Sequence, residues 1–423
     1  MFLILYKYLT YIFSIPIIIF FLIRYLKKKE NSISLKEKFG VYSKERPKGN
    51  LIWVNASSIG ESLSILPIIK KLNSLYPNCH ILFTSSTITS SKIIALRKVR
   101  NLTHQFTPID LNFIVEKFYK HWRPNIGIFV ESELWPNLIF QMKNYNVTSV
   151  LVNARISERT FKRWKIIRSF AQQILNNFEL CLVQDENILK KFSDLNVKKI
   201  KNVGNLKFLS EKLPINNEKY LNLKKLISRK QVILLASSHK NEEEIILSII
   251  QKLKSNFKNI ILIIVPRHIK RSKEIQYLMR KKGIKYKVRS NNEKINGETI
   301  CYLADTIGEL SLFYELSTIT IIGGSFVNHG GQNPIECSYF NCSLILGPHM
   351  ENFVKISQIL VKNGAALQIK DIKNLESTIV RFLKNKKLRV SYSEKLKKIC
   401  QNEKLKAQSI WVELKKVFRK YVK

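Results

Sequence analysis

Short runs of apolar and β-branched residues recur along this chain, each followed by a stretch with helical spacing. That alternation constrains the fold more than any other feature. Leu51–Val54, His80–Thr84, Ile126–Val130, Val147–Val152, Leu180–Gln184 and Ile200–Val203 form one series. Val232–Ala236, Ile260–Val265, Ile300–Leu303, Thr318–Ile322 and Ser343–Leu346 form a second. Strands buried on both faces and separated by helices read as parallel sheets. The periodicity lapses near Ser210–Asn217, which marks a linker. A chain of 423 residues also exceeds one ordinary core. The expected fold is α/β, with doubly wound parallel-sheet domains over 27–212 and 213–400 and a terminal helix over 401–423.

In open α/β sheets ligands collect at the carboxyl edge of the strands, so the residues just past each strand are the candidates. Leu51–Val54 leads through Asn55 to Ser57–Ser58–Ile59–Gly60–Glu61. Either serine can cap the next helix, with Glu61 in its first turn. The helix dipole would lower the Glu61 pKa and desolvation would raise it; an ordinary helix-start glutamate is the plainer reading. Ile126–Val130 ends at Glu131–Ser132–Glu133, and if the strand persists these two carboxylates project to one side. Thr318–Ile322 runs into Gly323–Gly324–Ser325, Gly330–Gly331 and Asn333–Pro334–Ile335–Glu336. Asn, Pro and Glu there read as N-cap, N1 and N3 of a helix. Glycine backbone plus a helix start suits an anion such as a nucleotide phosphate. A plain strand–helix connection explains the same residues.

Residues 1–26 carry only Lys7 and Arg24 as charges. Their uncharged run Tyr8–Ile23 reads as an N-terminal membrane-anchor helix, single-pass or monotopic. Arg24 and Lys27–Lys29 would hold the following chain in the cytoplasm. The formal charge of +41 is spread through every segment, as compositional drift would leave it. It also suits an anionic partner, with Lys27–Lys29, Lys36 and Lys38 as a basic rim for anionic membrane lipid. No RNP, zinc-finger or arginine-rich arm accompanies it, so nucleic acid is not expected. Six scattered cysteines without a CxxC exclude a zinc site or disulfide framework and fit a reducing compartment.

Eight segments in order carry a resemblance: WVNASSIGES (53–62), ESELWPNL (131–138), NARISER (153–159), GNLK (204–207), ASSHKNEEE (236–244), VPRH (265–268), and GGSFVNHGGQNPIE with LGPHMENF (323–336, 346–353). Together they resemble the 3-deoxy-D-manno-octulosonic acid (Kdo) transferases of lipopolysaccharide synthesis. The resemblance implies a GT-B fold, two Rossmann-like domains facing a cleft, with the C-terminal helix returning to the first. It implies a CMP-Kdo donor, a lipid A precursor (lipid IVA) as acceptor, and inverting transfer at the inner membrane with no metal and no cofactor. By motif match Glu61 becomes the proton acceptor, and Glu131 and Lys207 transition-state stabilisers. Pro266, Arg267, Ile307, Gly308, Glu309, Asn333, Pro334, Ile335 and Glu336 become CMP-binding residues. Asn55 stands where the family more often has His, Asn241 where Gly is usual and Ile269 where Pro is usual. A UDP-sugar transferase with a polyprenyl-linked acceptor, or a non-catalytic membrane-surface homologue, would suit the fold and anchor but not the motif set.

Overall fold

The computed structural model of the chain describes residues 2–421. It divides into two compact units. One ends at Leu209 and takes up the chain again from Glu403, and the other is Ser210–Asn402. The second boundary falls inside the helix Lys386–Gln408.

The first unit holds β1 (Leu51–Asn55), β2 (His80–Ser85), β3 (Leu102–Phe106), β4 (Ile126–Val130), β5 (Thr148–Ala154), β6 (Leu180–Val183) and β7 (Ile200–Asn202). All are parallel, in the order β3-β2-β1-β4-β5-β6-β7. Alternation along β1 sends Ile52 and Val54 to one face and Leu51 and Trp53 to the other. The first pair packs with Ile65, Ile68 and Ile69 of the helix Ile59–Leu75. Ile410, Trp411, Leu414, Val417 and Phe418 join that same core, so the last helix belongs to this unit. The second pair packs with Phe118, Tyr119, Trp122 and Phe129. Every residue of β1 and β4 is buried, as expected for strands covered on both faces.

The second unit repeats the plan. It holds β8 (Gln231–Ser238), β9 (Ile260–Pro266), β10 (Tyr286–Val288), β11 (Cys301–Leu303), β12 (Ile319–Ile322), β13 (Ser343–Leu346) and β14 (Leu367–Gln368). Their order is β10-β11-β9-β8-β12-β13-β14, again all parallel. Strand order reverses between β1 and β4 in one sheet and between β8 and β12 in the other. Successive helices leave those strand pairs toward opposite faces, and the carboxyl edge there is the natural place for a ligand. All six cysteines are free and buried.

The N-terminal segment corrects the single-helix expectation. Among the described residues no single helix is long and apolar enough to cross a membrane, and two helices are bent by 52° instead. They are Phe2–Ile12 and Ser14–Leu26, with Phe13 at the break. Pro16 accounts for it, since a prolyl nitrogen gives the Ile12 carbonyl no hydrogen bond and its ring crowds it. One side of the pair is tied to the unit: the Tyr6 hydroxyl donates to Asp110 at 2.9 Å, and the Asn137 amide donates to Thr10 at 3.3 Å. The other side exposes Tyr11, Ile12, Ile15, Ile19, Phe20, Leu22, Ile23 and Leu26. Lys27–Lys29 and Lys36 are exposed. Lys38 is not part of that rim: it is buried, with its ammonium 2.7 Å from Glu30 and 2.9 Å from the Ser86 carbonyl.

Candidate functional site

Glu61 opens the helix after β1, at the switch point of the first sheet. Ser58 caps that helix and shares a capping box with Glu61. The Glu61 Oε2 accepts the Ser57 N–H at 2.8 Å and the Ser58 N–H at 3.4 Å. The side chain is buried. Burial, then the charges of Glu133 and Glu131, push its carboxyl up to about 7 against the pull of the two serines. Desolvation prevails over the helix start because like charges reinforce it.

Glu131 and Glu133 arrive by another route than strand alternation. The strand stops at Val130, and Glu131 takes a left-handed φ of 60° with its N–H on the Val152 carbonyl. Its carboxylate accepts the Asn153 amide at 3.3 Å and pairs with Arg155 at 2.5 Å. Glu133 accepts the Ser57 hydroxyl and, at 2.8 Å, the Trp135 indole N–H. Lys207 lies in the short 3₁₀ turn after β7. Burial lowers its pKa, while Glu131 and Glu61 oppose that fall. Three carboxylates and two cations therefore meet at the carboxyl edge of the sheet. Asn55, fully buried, accepts hydroxyls from Thr84 at 2.8 Å and Thr107 at 3.1 Å; its amide nitrogen has no partner among the described residues.

In the second unit the residues past β8, β9 and β12 converge. His239 lies against His329 with ring centres 3.9 Å apart and planes tilted by 37°, and meets His268 edge-on at 6.0 Å. Burial and then the neighbouring His329, His268, Arg267 and Arg271 push His239 down to about 4. The Asn333 amide donates to Glu336 at 3.2 Å. Burial raises the Glu336 carboxyl, opposed by Asn333 and by the charge of Arg267. Arg267, Asn333 and Glu336 are thus brought together, with Pro334 and Ile335 buried between the last two. Ile307 and Gly308 lie exposed past β11. Glu309 is already engaged, with Arg289 bidentate at 2.9 Å and Lys219 at 2.8 Å. The hydrogen bonds of Arg289 lead the causes that hold its carboxyl at about 2.

Two expectations for the glycine stretch are corrected. The helix that follows is a five-residue 3₁₀ helix, Ile335–Tyr339, rather than an α-helix, and its N-cap is Pro334 and not Asn333; Asn333 stands one residue earlier and accepts the Ile335 N–H at 3.1 Å. The glycine N–H groups are also largely occupied. Glu242 takes the N–H groups of Gly324 at 2.7 Å, Phe326 at 2.9 Å and His239 at 2.8 Å, while Gly331 donates to the Gly324 carbonyl. Gly323 is required by contact: a Cβ there would stand 2.2 Å from the Ser237 carbonyl oxygen. Sequence spacing gave no sign of Glu242 as a loop clamp. It also missed Arg271, which grips the buried Glu243 at 2.7 and 3.1 Å from another helix.

Among the described residues, no three His, Cys, Asp or Glu side chains are grouped to hold a metal. A family model described as 3-Deoxy-D-manno-octulosonic-acid transferase (kdotransferase) matches residues 34–210. Over 405 residues the chain is 35% identical to the 3-deoxy-D-manno-octulosonic acid transferase of Rickettsia bellii, covering 95% of this chain and 96% of that one. The chain belongs to the Kdo transferase family. It is therefore a glycosyltransferase. The Haemophilus influenzae Kdo transferase is 33% identical over 360 residues, 84% of each chain. A solved glycosyltransferase from Rickettsia africae shares the fold alone, with a TM-score of 0.57 at 12% identity over 87% of this chain and 98% of that one.

One departure from the Kdo transferase pattern has a backbone explanation. Asn241 has a φ of 77°, a left-handed position where glycine is easiest and asparagine the next most tolerated. Asn241→Gly is expected to be near neutral, whereas Asn241→Ala should cost about 1 kcal/mol in urea unfolding. Equal stability of the two variants would contradict this reading.

Proposed function

We propose that this Kdo transferase moves Kdo from CMP-Kdo to a sugar hydroxyl of a lipid A precursor, inverting the anomeric centre, with Glu61 as the base. The observation that carries the proposal is a buried carboxyl at the first sheet's switch point, raised to about 7. A base of that pKa can take a proton near neutral pH. As the acceptor oxygen bonds to the anomeric carbon, its proton passes to Glu61. The bond from that carbon to the phosphate oxygen breaks, and its electron pair leaves with CMP. Both backbone donors to Glu61 fall on Oε2, so one oxygen is held while the other receives the proton. The negative charge of Glu131 suits the oxocarbenium character at the anomeric carbon. Lys207 suits the charge growing on the departing phosphate.

Arg267 supplies a cation for the CMP phosphate, and Glu336 and Asn333 can bond ribose or base hydroxyl and amino groups. Ile307 and Gly308 offer an exposed edge beside them in this assignment, with Glu309 held by Arg289. Calorimetry with CMP and UDP tests the donor. Binding of CMP in clear preference to UDP supports the reading, and preference for UDP would return it to another sugar-nucleotide class.

The bent helix pair acts as a monotopic seat on the cytoplasmic leaflet of the inner membrane, its exposed apolar side in the acyl boundary and Lys27–Lys29 at anionic headgroups. Ile19→Asp with Ile23→Asp on that side should release the protein from anionic vesicles in molar salt, where electrostatic attraction is screened. Retained sedimentation with vesicles would place the membrane contact elsewhere.

A further inference from the structure

Glu133 lies outside the roles assigned above, yet it is wired to the base. Ser57 connects the two carboxylates. Its N–H donates to Glu61 Oε2 at 2.8 Å, and its hydroxyl donates to Glu133 Oε2. The same Glu133 oxygen accepts the Trp135 indole, and the Ser86 hydroxyl donates to the Ser57 oxygen at 3.0 Å. Ser57 is thereby clamped from two sides, and its N–H is aimed at the base. The geometry points to Glu133 as a positioning residue of the transfer reaction, which through Ser57 orients the Glu61 carboxylate toward the acceptor. This rests on Glu61 being the base.

The charged groups that face Glu61 are Glu131 and Glu133 from the segment after β4 and Lys207 from the turn after β7. Arg155, after β5, pairs with Glu131, so part of that charge is answered locally. Glu133 is bonded by neutral donors, a hydroxyl and an indole. Its charge therefore remains to act on Glu61, consistent with Glu133 ranking ahead of Glu131 among the neighbours that raise the Glu61 carboxyl. Removing it should ease ionisation of the base, while removing the Ser57 hydroxyl should loosen the geometry and leave the charge in place. The two changes have different signatures.

The test is the pH profile of kcat for the full chain with CMP-Kdo and a lipid A precursor. Glu133→Gln keeps an acceptor for Ser57 and should move the acid limb down by roughly half to one pH unit. Ser57→Ala should leave the limb in place and lower the plateau by about tenfold, with KM for the donor unchanged. Ser57 is only partly buried, so this variant keeps the fold. A wild-type plateau in Ser57→Ala would overturn the positioning role while Glu61 stood as the base, and an unmoved limb in Glu133→Gln would overturn the charge coupling between Glu133 and Glu61. Wild-type turnover in Glu61→Gln would instead remove the base assignment and this inference with it.

Discussion

Glu61→Gln is expected to lower turnover by about 10²–10⁴-fold, the usual contribution of a positioned general base. The amide keeps an oxygen for the Ser57 and Ser58 N–H groups, so the start of the helix Ile59–Leu75 should survive. A buried carboxyl pushed up to about 7 is exchanged for a neutral group of the same shape, and the melting temperature should not fall. The sign of the pH dependence follows from the raised pKa. Below about pH 7 the wild-type base carries its proton and turnover falls; above it the carboxylate is free and turnover reaches its plateau. The variant has no such limb. CMP affinity should match the parent, because the assigned nucleotide residues are Arg267, Asn333 and Glu336. Turnover above about a tenth of the parent's, in the face of a ~10²–10⁴-fold expectation, would take the role of base from Glu61.

Glu242→Ala carries the second large effect, on stability and nucleotide binding together. Its carboxylate is fully buried and holds the N–H groups of His239, Gly324 and Phe326. Alanine leaves these donors without their acceptor, at about 1–3 kcal/mol for each that stays buried and unpaired. A loss of about 3 kcal/mol or more in urea unfolding is expected. The same bonds join the turn after β8 to the glycine stretch, so His239, His329 and Asn333 should lose their register and CMP affinity should fall by about tenfold or more. Glu242→Gln should be intermediate, since one oxygen remains to accept while the amide nitrogen faces another donor. An alanine variant with the parent's CMP affinity would mean that Gly323–Glu336 does not form the nucleotide site.

How far the sequence could be read depended on where each signal is local. β1, β4, β8, β9, β12 and β13 stand out as apolar runs because helices cover both faces of each sheet. β3, β10 and β14 escaped notice: they lie at the outer ends of their sheets, where LTHQF, YKV and LQ need not be continuously apolar. The place of Glu61 in a helix start was legible because capping serine and glutamate three residues apart form a local pattern, whereas its role as base came only from the motif resemblance. Glu133 was legible only as a nearby carboxylate, since the left-handed Glu131 ends the strand and removes the parity rule. The Asn333 signal was correct that a helix starts there and one residue off in its cap, since Pro334 takes the N-cap position and Asn333 bonds the Ile335 N–H from the residue before it. It was also wrong about length. β13 begins at Ser343, which leaves room for one turn. Glycines required by backbone contact look in sequence like glycines that cradle a phosphate, and only the 2.2 Å approach to Ser237 separates the two uses at Gly323. Arg271 and Arg289 meet their carboxylates across separate elements, where no spacing rule applies. Pro16 was visible throughout, but the apolar run around it hid the break it imposes.

With Glu61 as base, this chain should transfer Kdo to a lipid A precursor. Mass spectrometry of the lipid product tests it most directly, using purified protein, CMP-Kdo generated in situ and lipid A precursor in vesicles. The expected result is a lipid heavier by one or more Kdo residues with the parent protein, and unmodified precursor with Glu61→Gln over the same interval. Unmodified precursor with the parent protein, while CMP-Kdo is present and CMP is bound, would contradict it.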